Sequence, residues 1–364
     1  MRSKNWFRIA SSTTLAAALT VGAALSAVAQ QEGPQRPAPD QSEPVKPPSG
    51  AQPSQNQQAQ QPPPQVSIST QSNLVNVDVV VTDQDGDVVT GLKRENFRVF
   101  DEGQPQQVTN FAPTDAPITV VILLEYSARY WGIFSGQGAY WADGFLNDLK
   151  PQDWVALKTF DLQIHVQEDF TQDKRAIDQS LRTLGFPTFH EAVLFDAVLE
   201  TLDQLRDVKG KKSILILATG YDTFSKHNLD QILNRLKETD VTIFAVGTGE
   251  AIDLYSPQGA GVGYLQAKNQ LTSFSRMTGG YAFFPRFDGE MPEIFNTVAQ
   301  YLRSQYTLGF SPSTAQDGRY HKLTVQVVDA QGNPLELANK KGKMKKAVVN
   351  AREGYVAPRP TAGD

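Results

Sequence analysis

The sequence of 364 residues contains no cysteine, four histidines and, beyond its first 29 positions, no apolar run long enough to span a membrane. Without cysteine, the chain forms no disulfide, no thiolate metal site, no cysteine nucleophile and no lipid-modified N-terminal cysteine. It also lacks an excess of positive charge, since 34 basic against 39 acidic residues give a net charge of −5. This balance provides no global field to hold a phosphate backbone at physiological salt, so we expect no nucleic-acid partner.

Motifs of hydrolytic and nucleotide-dependent enzymes are absent too. The sequence contains no G-x-S-x-G elbow, no Walker loop and no H-E-x-x-H pair, and the four histidines have no paired spacing. A general base with a matched nucleophile is therefore not apparent from the residue pattern. The absence of these motifs argues against a hydrolase.

The first 29 residues have the pattern of a secretory signal peptide. Three basic residues within the first eight positions precede the uncharged stretch Ile9–Leu25, and Ala27-Val28-Ala29 supplies a small-x-small cleavage site. The alternative is an uncleaved anchor, but its apolar part is diluted by hydroxyl residues at 11–14 and is shorter than the roughly 20 residues that a bilayer requires. We expect a protein exported to the periplasm or the extracellular space, with no membrane span in the mature chain.

Residues 30–66 form a segment rich in proline and glutamine, without an aromatic residue. Such a composition cannot bury enough apolar surface to offset the entropy of ordering the chain, so a disordered linker is predicted. It either holds the folded part away from an envelope surface or is a tolerated tail. Residues 359–364 are expected to form a short disordered tail.

The central part of the chain, 115–305, alternates buried strands with amphipathic helices. Ile118–Leu124 is a continuous apolar run, and Ser213–Leu217 and Val241–Val246 repeat the pattern. Apolar residues with helical spacing lie between these runs, for example from Leu194 to Leu205. This alternation predicts an α/β fold with a doubly wound, mostly parallel, Rossmann-like sheet. The glycine-rich run Gly259–Gly263 is expected to be a mobile loop.

Both flanks of this region have the grammar of β-strands. Val75–Val81 alternates apolar and polar residues, as a half-buried strand does. The flanks are either two separate β units or the two parts of one β-sandwich, 67–114 and 306–358, interrupted by the α/β region. We favour one sandwich, because neither flank has enough strands to cover a hydrophobic face alone. Further short strands are predicted at 97–100, 107–111, 155–160, 164–166, 306–310, 323–328 and 347–350.

An ordered series of short segments runs through residues 74–357. It includes VVILLEYS, DWVALKTF, LFDAV, TGYD, TGGYAFFP, RSQYTLGFSPS and REGYVAP. The series resembles the von Willebrand factor type A domain, and specifically the VWFA-related acidobacterial family. The resemblance implies an extracytoplasmic interaction module with that domain's doubly wound sheet, and no family-wide enzymatic activity.

The resemblance also implies a candidate ligand site. Such domains bind a divalent cation through an Asp-x-Ser-x-Ser loop, a threonine on a second loop and an aspartate on a third. Here the first loop offers Glu125, Ser127 and Arg129, so one carboxylate is longer and one hydroxyl is replaced by a cation. Asp222 follows Thr219, which stands where the third-loop aspartate is expected. The degenerate metal set is Glu125, Ser127, Thr188 and Asp222.

Two interpretations of this site are open. A Mg²⁺, Ca²⁺ or Mn²⁺ ion wants oxygen ligands and negative charge, and most of both are missing. The favoured alternative is a structural pair of Glu125 with Arg129 at a site that has lost its ion, so no cofactor is expected. The predicted ligand-binding residues are Glu125, Ser127, Arg129, Tyr130, Trp131, Thr219 and Asp222.

Two further surface patterns follow from composition. Tyr130, Trp131 and Phe134 lie among glycines after the first buried strand, and they either contact a partner or pack locally. Tyr140 and Trp141, by contrast, are expected to pack the first helix against the sheet. The run Lys340–Lys346 holds five lysines, which could contact an anionic surface or form a solvated hairpin tip.

Taken together, these patterns predict an exported, non-enzymatic adhesion module that binds an unidentified protein partner of the envelope or the extracellular space. The alternative is a structural or assembly component of an envelope complex, in which the β-sandwich makes the contacts and the degenerate site is inert.

Overall fold

The computed structural model describes residues 74–112, 116–128, 138–249, 261–314, 317–357 and 359. The predicted signal peptide and linker, together with Arg129, Tyr130, Trp131 and Phe134, lie outside the described residues, as does the side chain of Tyr140. Among the described residues, no helix is both long and apolar enough to cross a membrane.

A six-stranded sheet forms the centre of the α/β layer. Its strands are β5 (Ile118–Glu125), β6 (Trp154–Phe160), β7 (Ile164–Thr171), β8 (Lys211–Ala218), β9 (Thr242–Gly247) and β10 (Ala282–Phe283). The strand order is β10-β9-β8-β5-β6-β7, and every neighbouring pair is parallel except β6 with β7. The order reverses between β5 and β8, as in a doubly wound sheet, which confirms the α/β class predicted from the sequence.

Helices cover both faces of this sheet. They are α1 (Gly138–Asp148), α2 (Lys174–Thr183), α3 (Leu194–Leu205), α4 (Leu229–Glu238), α5 (Val262–Thr278) and α6 (Met291–Arg303). Alternate residues of β5 enter different clusters: Val120 packs with α1 and α6, whereas Val121 packs with α3, α4 and α5. Because both faces are covered, every residue of β5 and β8 is buried. Trp141 is 2% exposed and packs α1 against the sheet, as predicted.

The remaining strands form two four-stranded antiparallel sheets, which we call the β unit. One sheet has the order β15 (Val348–Ala351), β1 (Val75–Thr82), β11 (Tyr306–Phe310), β4 (Val108–Ala112). The other has the order β16 (Gly354–Val356), β12 (Tyr320–Val327), β2 (Phe97–Asp101), β3 (Gln104–Gln106). Both sheets combine strands from before and after the α/β layer, and they share one apolar cluster. A short hairpin of β13 (Glu336–Ala338) and β14 (Met344–Lys346) stands apart from both sheets.

The β unit contacts the α/β layer at the amino-terminal ends of the parallel strands. Val80 of β1 packs into the α/β cluster, although Val79 and Val81 face the β unit. Lys211, the first residue of β8, donates to the Gln305 carbonyl at 2.6 Å. Across the same junction, the Asn350 amide donates to the carbonyls of Gly279 and Gly280, at 2.7 and 2.9 Å. The opposite edge, where the parallel strands end, is therefore left to the loops.

The structure differs from the sequence analysis at three places. The proposed mobile loop Gly259–Gly263 is wrong at its end, because α5 already begins at Val262. The strand predicted at 164–166 extends to Thr171, since its antiparallel pairing with β6 supplies hydrogen bonds that the apolar pattern does not reveal. Helix α2 was not predicted, because only Ile177 and Leu181 of its ten residues are buried.

Candidate functional site

The candidate site lies where β5 and β8 end side by side. Glu125 is the last residue of β5 and is 1% exposed. Its Oε1 accepts a hydrogen bond from Ser127 Oγ at 2.5 Å. Its Oε2 accepts from the backbone N–H and the hydroxyl of Thr219, at 2.7 and 2.8 Å. The parallel register of β5 and β8, with Leu124 opposite Leu217, brings the two loops together in this way.

The first and third loops are therefore joined by one buried carboxylate. Ser127 and Thr219 are 0% and 2% exposed. A carboxylate has about four acceptor positions, and here at least three are used by protein donors. Three residues of the predicted site thus come together, and their polar atoms bind one another.

Asp222 has a different role from the one expected of a ligand. Its Oδ1 accepts from the Phe195 N–H at 3.0 Å and from Ser225 Oγ at 2.6 Å. Phe195 lies in the first turn of α3, where backbone N–H groups have no partner within the helix. The residue before α3, Val193, supplies no side-chain cap. Asp222 caps α3 from a neighbouring loop.

Asp196 fastens the same loop a second time. Its carboxylate accepts from the backbone N–H groups of Lys226 and His227, at 2.9 and 3.1 Å, and contacts His227 Nδ1 at 2.7 Å. Burial alone would raise the pKa of Asp196, but these hydrogen bonds outweigh it and hold the pKa below the ordinary value. The loop between β8 and α4 is consequently held by two aspartates.

Thr188, the predicted second-loop ligand, is exposed. Its loop joins the first loop through the Ala128 N–H, which donates to the Phe189 carbonyl at 2.7 Å. Arg129, Tyr130 and Trp131 lie outside the described residues. Within the described part of the chain, no group of three or more histidine, aspartate or glutamate residues could hold a metal ion.

Further hydrogen bonds connect the loop before α3 with the loops after β6 and β8. The Val193 N–H donates to the Asp161 carbonyl at 2.8 Å, which joins the loop before α3 to the end of β6. The backbone N–H of Thr223 donates to the Ala192 carbonyl at 3.0 Å, and the Ala192 N–H donates to the Thr223 hydroxyl at 2.8 Å. The described parts of the loops after β5, β6 and β8 and of the loop before α3 are therefore joined by hydrogen bonds into one surface.

The same edge of the central sheet carries exposed apolar side chains that the sequence analysis did not single out. They lie in the loops after β8 and β10, in the loop before α3 and in the first turn of α5. We call them the apolar rim: Phe186 (88% exposed), Phe189 (43%), Phe224 (66%), Val262 (83%), Leu265 (58%) and Phe287 (59%). The signal of its four phenylalanines in the sequence was an aromatic residue in a polar, turn-rich segment, a pattern that does not distinguish exposed from buried rings.

No protein-family model and no curated protein matches the chain. Similar solved structures include a von Willebrand factor type A protein from Catenulispora acidiphila, at 10% identity and a TM-score of 0.42, covering 68% of this chain and 74% of that one. The vWF domain of the type V pili tip protein Mfa5 from Porphyromonas gingivalis has 14% identity and a TM-score of 0.39, over 50% and 94% of the chains. BatB from Bacteroides thetaiotaomicron, a conserved hypothetical protein, has 12% identity and a TM-score of 0.39, over 51% and 100%.

Von Willebrand factor type A domains are among the structures to which this chain is similar. The strand order of the central sheet, with its one antiparallel edge strand, is the feature of this chain that defines its α/β class. Identities of 10–14% transfer no ligand or partner.

Proposed function

We propose that this chain is an exported, non-enzymatic interaction module that binds a protein partner through the apolar rim. One observation carries the proposal. Of the eleven large apolar side chains exposed in the described residues, six belong to the rim. All six lie in loops or in a first helical turn at one edge of the central sheet. Exposed apolar side chains gathered on one side of a protein are typical of interaction sites, and aromatic residues contribute most to such interfaces.

The hydrogen bonds beneath the rim support this function. A loop that is already fixed loses little conformational entropy when it binds, so more of the contact energy appears as affinity. The Phe189 carbonyl accepts from the Ala128 N–H, and the Phe224 N–H donates to the Ala192 carbonyl. These two phenylalanines of the rim are thus presented by hydrogen-bonded loops.

The position of the β unit points in the same direction. Because the β unit lies against the amino-terminal ends of the parallel strands, it leaves the carboxyl-terminal edge accessible. Ligands of open α/β sheets bind at that edge.

In this proposal, Glu125, Ser127, Thr219 and Asp222 hold the loops in place, and no cation is needed. The supporting observation is that both carboxylate oxygens of Glu125 and Oδ1 of Asp222 accept hydrogen bonds from protein donors. Arg129, Tyr130 and Trp131 stay predicted contacts of the partner. Export to the periplasm or the extracellular space, a disordered linker at 30–66 and a single sandwich for the β unit belong to the same proposal.

The proposal is tested by comparing two double variants in cross-linking to envelope and secreted proteins of the source organism. One variant combines Phe186→Gln with Phe224→Gln and removes rim surface. Its matched control combines Trp154→Gln with Val166→Gln, which are 43% and 54% exposed outside the rim. A partner that is cross-linked by the wild type and the control, but not by the rim variant, supports the proposal.

Equal cross-linking by both variants would contradict it and favour the alternative of an assembly component that binds through the β unit. Turnover of any substrate in a broad panel, abolished by Glu125→Gln, would overturn the non-enzymatic part.

A further inference from the structure

The hairpin of β13 and β14 projects from the β unit as a separate ribbon. Its turn is well defined: the Asn339 side chain accepts from the N–H groups of Lys341 and Lys343, at 3.1 and 2.9 Å. Gly342 has a φ of +71°, in the left-handed region that favours glycine. The run of lysines predicted to be either an anionic-surface contact or a solvated tip is therefore an ordered hairpin, which we call the lysine hairpin, residues 336–346.

The lysine hairpin has a charge opposite to that of the rest of the chain. It carries five lysines and one acid, Glu336, so its net charge is +4 within a chain of net charge −5. These lysines are Lys340, Lys341, Lys343, Lys345 and Lys346, all exposed. The remainder of the chain therefore has a net charge of −9, the difference between −5 and +4.

Lys340 holds the hairpin in place through its side chain and its backbone. Lys340 Nζ lies 3.1 Å from Asp87 Oδ2, and the Lys340 N–H donates to Asp85 Oδ2 at 2.6 Å. The Gln84 amide donates to the Lys346 carbonyl at 2.9 Å. Among the described residues, no acid forms an ion pair with the side chains of the other four lysines. Asp85 and Asp87 thus orient the hairpin, and most of the positive charge of the hairpin is left for a partner.

The side chains of the hairpin favour an anionic membrane over other polyanions. Met344 is 58% exposed, and Lys346, two residues further along β14, lies on the same face of the hairpin. An apolar side chain flanked by cations suits the interface between headgroups and acyl chains, where the methionine enters and the lysines stay among the phosphates. All five cations are lysines, which are point charges suited to a diffuse field, whereas arginine gives bidentate recognition of single phosphates.

We infer that the lysine hairpin binds the surface of membranes that contain anionic lipids, with Met344 inserted below the headgroups and the lysines among the lipid phosphates. This binding is peripheral and depends on salt, because exposed charges are screened. It is separate from partner binding at the apolar rim, since the hairpin belongs to the β unit at the other end of the parallel strands.

The test is flotation of the full chain with phosphatidylcholine vesicles, with and without phosphatidylglycerol. Each lysine near an anionic surface strengthens partitioning about fivefold, so removing four is expected to weaken it on the order of a hundredfold or more. The hairpin variant combines four substitutions: Lys341→Gln, Lys343→Gln, Lys345→Gln and Lys346→Gln. The control removes the same charge from exposed lysines elsewhere: Lys93→Gln, Lys209→Gln, Lys226→Gln and Lys322→Gln.

Every variant keeps the same N-terminal segment, so any binding by that segment is common to all of them. We expect the wild type and the control to float with phosphatidylglycerol vesicles and the hairpin variant to remain unbound. Met344→Gln is expected to weaken binding several-fold without changing its salt dependence. Equal flotation of the two quadruple variants would overturn the inference. So would retention of the chain by soluble dextran sulfate without any binding to anionic vesicles.

Discussion

Glu125 and Thr219 are joined twice, because one carboxylate oxygen of Glu125 accepts both the backbone N–H and the hydroxyl of Thr219. Glu125 ends β5 and Thr219 directly follows the neighbouring strand β8, so these hydrogen bonds fix the spacing between the first and third loops. Thr219 thus offers a hydroxyl where the resemblance led us to expect an aspartate, and the side chains of Glu125 and Thr219 bind each other directly.

Replacing Thr219 with valine is expected to destabilise the fold by about 1–3 kcal/mol, because the hydroxyl bonded to a buried carboxylate is lost while the shape is kept. The measurement is the free energy of unfolding from urea titration. Thr219→Ser is the control, since it retains the hydroxyl and should lie closer to the wild type. A Thr219→Val variant as stable as the wild type would show that the hydrogen bond from the Thr219 hydroxyl to Glu125 does not stabilise the fold.

The thermal midpoint is expected to be the same in chelator as in excess Mg²⁺, Ca²⁺ or Mn²⁺. A cation that binds only the folded chain stabilises it by about 2.7 kcal/mol at a hundredfold excess over its dissociation constant, so binding would be detected easily. We expect no shift, because Glu125 and Asp222 are already engaged by protein donors. A cation-dependent rise that disappears in Glu125→Ala would contradict the proposed cation-free site.

A buried polar network in the β unit is expected to make stability depend on pH. His321 Nδ1 lies 3.1 Å from Asp101 Oδ1, and its Nε2 lies 3.2 Å from Asp317 Oδ1. Tyr355 donates to Asp101 Oδ2 at 2.9 Å, and Thr314 bonds the same oxygen. Burial alone would lower the pKa of His321, but the hydrogen bonds and charges of the two aspartates outweigh it and raise the pKa above its ordinary value.

A histidine with a raised pKa contributes its full stabilisation below the unfolded pKa of about 6.5, and loses it as the pH rises through the folded-state pKa. The gap in thermal midpoint between the wild type and His321→Gln should therefore be wide at about pH 5.5 and narrower at about pH 8.5. His190→Gln, at an exposed position, controls for the loss of a histidine. A gap that widens with increasing pH would refute this assignment of charge.

Replacing Asp153 with asparagine is expected to cost about 3–5 kcal/mol, the usual effect of breaking a buried ion pair from one side. Asp153 is fully buried, accepts from the N–H groups of Ile118 and Lys150 at 3.1 and 2.7 Å, and pairs with Arg303 at the end of α6. Urea unfolding gives the measurement. Asp148→Asn, an exposed position at the end of α1, should be nearly neutral, and equal losses in the two variants would contradict this role.

The buried strands were predictable because a run of consecutive apolar residues indicates a strand covered on both faces. The run Ile118–Leu124 leaves no polar face, and the structure extends it by one residue to Glu125. Helix α5 was harder to predict, since Val262 and Leu265 at its start are exposed and its apolar residues form no single stripe. Its first turn follows a glycine-rich segment that favours a loop on local grounds. Tertiary packing of Leu271 and Phe274 decides the helix.

The candidate site was predictable as a meeting of loops, not as a set of bonds. The order of parallel strands places Glu125 near Thr219 whatever their side chains do. Which donor bonds to which carboxylate oxygen depends on the path of each loop. The path of the loop after β8, for example, places the Asp222 carboxylate against the Phe195 N–H at the start of α3. The apolar rim could not be identified in advance, because exposure is a property of the folded surface.

The placement of the α/β layer between β4 and β11 has a mechanical consequence. The first and last strands of the described fold, β1 and β16, both belong to the β unit. Tension applied between the two ends of the chain is therefore carried by the ladders that β1 forms with β11 and β15, and β16 with β12. The α/β layer lies outside this load path, because the chain enters the layer at Ile118 and leaves it at Arg303, both on the side of the β unit. In a molecule held under tension at its two ends, the rim loops would therefore keep their arrangement until the hydrogen bonds between the strands of the β unit broke.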